Sequence, residues 1–168
     1  MEARLYENFP AWIVLVSSGV AVAIYALGAY VLGGLGIAFS VLYLLYCAWV
    51  EVGVLRKSCV HCYYYGKVCG LGKGKLCSWL FQPGDPQRFI EREVAWRDMI
   101  PDMMVLVFPI AGGIFLLVKD FSWALVAMLL VLVFLSFGGN AVVRGSMACK
   151  HCKQRELGCP TQKLFGEE

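Results

Sequence analysis

The stretch from Met103 to Val143 reads MMVLVFPIAGGIFLLVKDFSWALVAMLLVLVFLSFGGNAVV, and its only two charges, Lys119 and Asp120, sit side by side near its middle. A membrane-spanning helix needs roughly 20 predominantly apolar residues. The stretch is therefore long enough for two spans, with the charged pair as the turn between them. A second apolar block, from Pro10 to Leu55, carries one charge, Glu51, and is interrupted at Gly33-Gly34-Leu35-Gly36. It divides in the same way. The four spans are expected near Ala11–Leu32, Leu35–Leu55, Met103–Val118 and Phe121–Val143, as two tandem helical hairpins. Strands of a transmembrane barrel would alternate apolar and polar residues over about ten positions, and neither block alternates. The fold class is an all-α integral membrane protein.

Composition points the same way. Of 168 residues, 60% are hydrophobic and 16% charged, with a mean hydropathy of +0.67, whereas soluble domains carry about 25% charge. This argues against a soluble globule, a disordered chain and a nucleic-acid-binding domain. The first apolar run exceeds the roughly 7–15 residues of a signal-peptide core, so it reads as a span. Basic residues set the orientation. Of 15 Lys and Arg, Arg4 precedes the first span, eight lie between the hairpins, five follow the last span, and Lys119 alone occupies a hairpin tip. The positive-inside rule then puts both ends of the sequence and both connecting segments in the cytoplasm, in a multi-pass protein of the cell membrane. The net charge of +3 suits anionic lipid headgroups.

The chain also contains itself twice. Pro10-Ala-Trp-Ile-Val-Leu-Val16 is echoed by Pro101-Asp-Met-Met-Val-Leu-Val107, and each begins a hairpin that leads to an arginine, Arg56 or Arg144. A cysteine motif follows each time: Cys59-Val-His61-Cys62 with Cys69, and Cys149-Lys-His151-Cys152 with Cys159. From Pro10 to Cys59 is 49 residues and from Pro101 to Cys149 is 48. Fainter echoes follow, Lys75-Leu76 against Lys163-Leu164 and Phe81 against Phe165. Units with an even number of spans keep the same orientation, which implies a parallel internal duplication. The expected domains are a first repeat over 1–82, a linker over 83–100, and a second repeat over 101–168. Gln82-Pro83-Gly84-Asp85-Pro86 has the composition of a loop. Beyond it, Phe89, Ile90, Val94, Trp96 and Ile100 alternate with charged residues, as in an amphipathic helix on the membrane surface or a connecting helix packed on the cysteine motifs.

Seven of the eight cysteines fall in the segments assigned to the cytoplasm. Stable disulfides are rare there, so metal binding or redox chemistry is favoured. Cys-x-x-Cys can present two thiolates to one ion, and each module adds a third cysteine and a histidine, a ligand set that tetrahedral zinc accepts. The candidate ligands are Cys59, His61, Cys62, Cys69 and Cys77 in the first module, and Cys149, His151, Cys152 and Cys159 in the second. The shared histidine favours two sites of three cysteines and one histidine; the alternatives for a histidine beside the second cysteine are that it reaches across to the partner motif or stays outside the ligand shell. Cys77 offers an all-cysteine alternative that also suits an iron–sulfur cluster, and Cys159-Pro160 matches the C-P ending of ferredoxin runs.

Other signals are weaker. Lys73 and Lys75 lie in the loop Gly70-Leu-Gly72-Lys73-Gly74-Lys75, which reads either as a solvated turn or as a cradle for a phosphate such as a lipid headgroup, although no strand precedes it. Glu51 is an ionisable group near the end of a span, with Cys47 one turn before it, and is the one candidate catalytic residue. Asn140 holds a similar place in the second repeat. Tyr63-Tyr64-Tyr65 and Trp79 read as interfacial anchors. Three functions are carried forward. The first is a zinc-bearing platform for a membrane-complex partner or a second copy, and the second is a redox protein with iron–sulfur clusters or reactive thiols that passes electrons to a quinone. The third is a small enzyme acting on membrane lipids.

Overall fold

The computed structural model describes residues 5–92 and 95–160. Arg4, Val94, Lys163, Leu164 and Phe165, used above, lie outside the described residues. Four helices are long and apolar enough to cross a membrane, and they carry the chain as a multi-pass membrane protein: Ala11–Gly33, Ile37–His61, Trp96–Lys119 and Trp123–His151. At 1.5 Å per residue even the shortest reaches about 34 Å, more than the roughly 30 Å of hydrocarbon in a bilayer. We label the regular helices α1 (Ala11–Gly33), α2 (Ile37–Lys57), α3 (Lys73–Leu80), α4 (Gln87–Ile90), α5 (Trp96–Lys119) and α6 (Trp123–Phe134). Among the described residues the one extended pairing is an isolated parallel bridge between Tyr6 and Cys152.

The chain forms two compact units. The first is built from Met1–Ser18, Val52–Ala95 and Ala141–Glu168, and the second from Gly19–Glu51 and Trp96–Asn140. The second unit is a helical bundle. Its hairpin turns are tight: Gly34, Leu35 and Gly36 donate back to the carbonyls of Val31, Leu32 and Gly33, and Gly36 turns at φ 144°. The other turn closes with the Asp120 N–H on the Leu116 carbonyl at 2.8 Å. Ile24, Leu32, Tyr43, Cys47, Val50, Val105 and Leu132 make the core. Large apolar side chains point outward instead of being gathered inside, and Ile37 and Val118 are each 83% exposed. That distribution suits a solvent of lipid tails and would be costly in water.

One polar arrangement inside the bundle follows directly from a proline. Pro109 stands in the middle of α5 and has no N–H to give to the carbonyl four residues before it. That carbonyl belongs to Val105, and the Tyr43 hydroxyl donates to it at 2.9 Å. Gly28 makes room for the donor, because a Cβ there would run into the Tyr43 ring. A backbone acceptor freed by proline is thus satisfied from the neighbouring helix, as an apolar surrounding requires.

Two expectations change. The amphipathic run after the linker is not one helix. It is the single turn α4, capped at Glu91, whose N–H closes on the Gln87 carbonyl, then Arg92 outside any helix, then Trp96–Ile100 as the opening of α5. The third span consequently starts before Met103, because Trp96 through Ile100 are continuous with it. The fourth span ends as wide π turns over Leu135–Gly139 and Val142–Ala148, a form common where function perturbs a helix. Here Asn140 donates its side-chain amide to the Ser136 carbonyl at 3.0 Å, within its own helix.

Candidate metal and thiol centre

The two cysteine motifs adopt the same local structure. In each, the residues from the first cysteine to the histidine make a single 3-10 turn, Cys59–His61 and Cys149–His151. The N–H of the second cysteine closes the turn on the carbonyl of the first, at 3.3 Å for Cys62 to Cys59 and 3.2 Å for Cys152 to Cys149. The second cysteine then leaves in extended conformation in both cases, with ψ of 149° and 119°. A turn of this kind brings the two thiols of a Cys-x-x-Cys pair onto one side of the chain.

Both motifs lie in the first unit and are joined through Tyr64. This residue is 2% exposed. Its hydroxyl donates to the Tyr6 carbonyl and accepts the Lys153 N–H at 2.9 Å. Beside it, the Tyr63 N–H donates to the side-chain carbonyl of Gln154 at 2.7 Å, and Gln154 is itself buried. Phe9, Ile13 and Tyr64 form the apolar centre against which Cys62, Cys69 and Cys152 pack. Tyr64 is therefore a core residue, not the interfacial anchor expected from the Tyr63-Tyr64-Tyr65 run. Gln154 was missed altogether. Its only signal was a neutral polar residue two places after the second motif, which is no signal without a partner in view.

Cys69 has the most specific environment. Its sulfur accepts the backbone N–H groups of Lys73 at 3.2 Å and Gly74 at 3.3 Å, the first two residues of α3. The chain reaches this geometry through Gly72, which sits in the left-handed region at φ 73°, and through Gly74, where a Cβ would collide with the carbonyl oxygens of Tyr64 and Lys67. The glycine–lysine loop thus delivers backbone donors to a sulfur, and the two at Lys73 and Gly74 that a phosphate cradle would use are directed there. Lys75 is exposed.

Burial pushes the Cys62 thiol up to about 11, with Cys152, Cys69 and Cys159 adding to the rise against an opposing backbone hydrogen bond at Tyr64. Burial likewise pushes Cys152 up to about 11, opposed by the backbone at Gln154 and reinforced by Cys149 and Cys159. Cys62 of the first motif therefore senses two sulfurs of the second.

The remaining candidates are placed as follows. Cys77 is fully buried and its thiol donates to the Leu55 carbonyl at 3.7 Å, packed with Val60 and Cys59. His61 holds the linker, with Nδ1 2.9 Å from the Asp85 carbonyl oxygen, and its ring lies where a Cβ on Gly84 would be. His151 stacks on Tyr6 with ring centroids 5.2 Å apart. Glu51, in the helical bundle, accepts the Tyr25 hydroxyl at 2.5 Å. Among the described residues, no three His, Cys, Asp or Glu side chains converge closely enough to hold a metal ion. Comparison with protein-family models, with curated proteins and with solved structures gives no match.

Proposed function

We propose that the protein is a membrane-embedded zinc-binding platform. Its two modules, facing the cytoplasm, bind the metal through Cys59, Cys62 and Cys69 and through Cys149, Cys152 and Cys159, and present a surface to a partner protein or a second copy. The observation that carries this reading is Cys69, whose sulfur is fixed by two backbone N–H groups at a helix start, as the sulfur of a metal ligand is oriented by hydrogen bonds from its surroundings. The repeated Cys-x-His-Cys turn supports it. His61 and His151 then act outside the ligand shell, steadying the turns through Asp85 and Tyr6. Cys77, protonated and donating to Leu55, is packing. Where no preformed site exists, ligand closure accompanies metal binding and its free energy orders the module. With three protein ligands each ion keeps a fourth coordination position, which a residue of the partner protein or of the second copy would fill.

Elemental analysis of anaerobically purified protein tests the proposal. We expect about two zinc per chain, one for each module, and a colourless preparation. Cys69→Ala should remove one of the two and leave the other. Protein with no metal would overturn the reading. A brown preparation with broad visible absorption would replace zinc by iron–sulfur clusters.

A second reading rests on a separate observation, the packing of Cys62 and Cys152, one from each motif, against the same apolar centre. Two such thiols can join as a disulfide, releasing two protons and two electrons, which a membrane quinone would accept to become a quinol. Metal-free protein whose free-thiol count falls by two when quinone is added would favour it.

A further inference from the structure

The helix α3 has its faces the wrong way round for water. Its buried positions are Gly74 and Cys77, while Leu76, Trp79 and Leu80, spaced to share one face, are exposed, Trp79 by 84%. Lys75 is exposed beside them, and Leu71 just before the helix is exposed as well. A helix that hides a glycine and presents a tryptophan and two leucines needs a cover that is not water.

The loop leading into α3 shows what that cover is. The Gly70 carbonyl accepts the Ser17 hydroxyl at 2.7 Å, and Gly72 lies against Val14 and Ser18, so closely that a Cβ there would be 3.0 Å from a Val14 methyl. Val14, Ser17 and Ser18 belong to the first membrane span, three to seven residues past its start at Ala11. At 1.5 Å per residue this is roughly 5–10 Å along the helix, the depth to which an interfacial helix sinks its apolar face. The start of α3 is thus held against the outermost turns of a transmembrane helix, where headgroups and upper acyl chains lie. Tryptophan is the residue most at home at that level, and a neighbouring lysine meets the phosphates there.

We propose that α3 is an interfacial helix that binds the bilayer surface, with Leu76, Trp79 and Leu80 among the upper acyl chains and Lys75 on the phosphates of anionic phospholipids. The glycine–lysine segment then contacts phosphate through a lysine side chain outside the backbone cradle that Cys69 fills. The proposal is independent of whether the cysteines carry metal.

The test uses the full chain in proteoliposomes of phosphatidylcholine and phosphatidylglycerol, with bromine on the upper acyl chain as a contact quencher. Subtracting the emission of Trp79→Phe isolates the Trp79 signal, and an exposed side chain can be changed this way without disturbing packing. We expect bromolipid to remove about half or more of that signal, and aqueous iodide to have little effect. Quenching by iodide and not by bromolipid would put the helix in water and overturn the proposal. Protection from both would mean that a second copy or a protein partner covers the face, and would overturn it equally. Lys75→Glu should weaken bromolipid quenching of Trp79 in the mixed bilayers and not in phosphatidylcholine alone. The same quenching in both would overturn the headgroup contact.

Discussion

Val105, Pro109 and Tyr43 show how a single residue type dictates a contact between helices. The Val105 carbonyl has lost its helical donor to Pro109, and the Tyr43 hydroxyl replaces it. Tyr43→Phe should therefore leave an acceptor unpaired in an apolar bundle, at a cost of about 1–3 kcal/mol. The cost should depend on the proline. In a Pro109→Ala background the restored N–H reaches the same carbonyl, so the second substitution should become nearly neutral. A double-mutant cycle on thermal unfolding in detergent measures the coupling. Additive effects, with Tyr43→Phe costing as much in either background, would show that the hydroxyl is not serving the freed carbonyl.

A similar dependence holds for α3, where the controlling residue is Gly74. An alanine there puts a Cβ onto the carbonyl oxygens of Tyr64 and Lys67, neither of which is a flexible side-chain end. The helix start must move, and the two N–H bonds to Cys69 move with it. Gly74→Ala should destabilise the first unit by more than about 2 kcal/mol and raise amide exchange across the module from 59 to 80. Gly53→Ala is the matching control: nothing lies within 4 Å of its Cβ position in α2, and alanine is the better helix former by about 1 kcal/mol. Equal effects at the two glycines would remove Gly74 from this role. The contrast also shows what the sequence makes legible. Hydrophobic length and two interrupted blocks suffice for four spans, since each helix satisfies its own backbone in lipid. The Cys-x-His-Cys echo correctly marks two turns of one kind. The joining of the motifs through Tyr64 and Gln154 is invisible, because it rests on contacts between segments about 90 residues apart. The neighbours of Cys77 and His61 are hidden for the same reason, since the thiol meets the Leu55 carbonyl and the imidazole the Asp85 carbonyl, 22 and 24 residues away in sequence. The amphipathic run misleads because charged residues at 91–92 and 97–98 keep helical spacing, although α4 ends at Ile90 and α5 begins only at Trp96.

The distribution of lysines over the whole chain makes the topology testable without any substitution. Lys119 is the one basic residue in a hairpin tip, whereas Lys75 and Lys150 belong to the segments that carry the cysteines. In a parallel duplication each repeat would enter and leave the membrane once, and an even number of spans would return both cysteine segments to the same side. The charge bias predicts that this side is the cytoplasm. All three lysines are exposed and so open to an amine reagent that cannot cross a bilayer. Applied to sealed inside-out vesicles and followed by peptide mapping, the reagent should modify Lys75 and Lys150 and spare Lys119. In right-side-out vesicles the pattern should invert. Labelling of Lys75 and Lys150 from opposite faces would refute the parallel duplication, since one repeat would then run upside down. Labelling of Lys119 together with the other two would refute the spans on either side of it. The reverse pattern, with the cysteine segments outside, would leave four spans intact but place the thiols where disulfides are stable. The zinc reading, which rests on reduced cysteines, would fall with it.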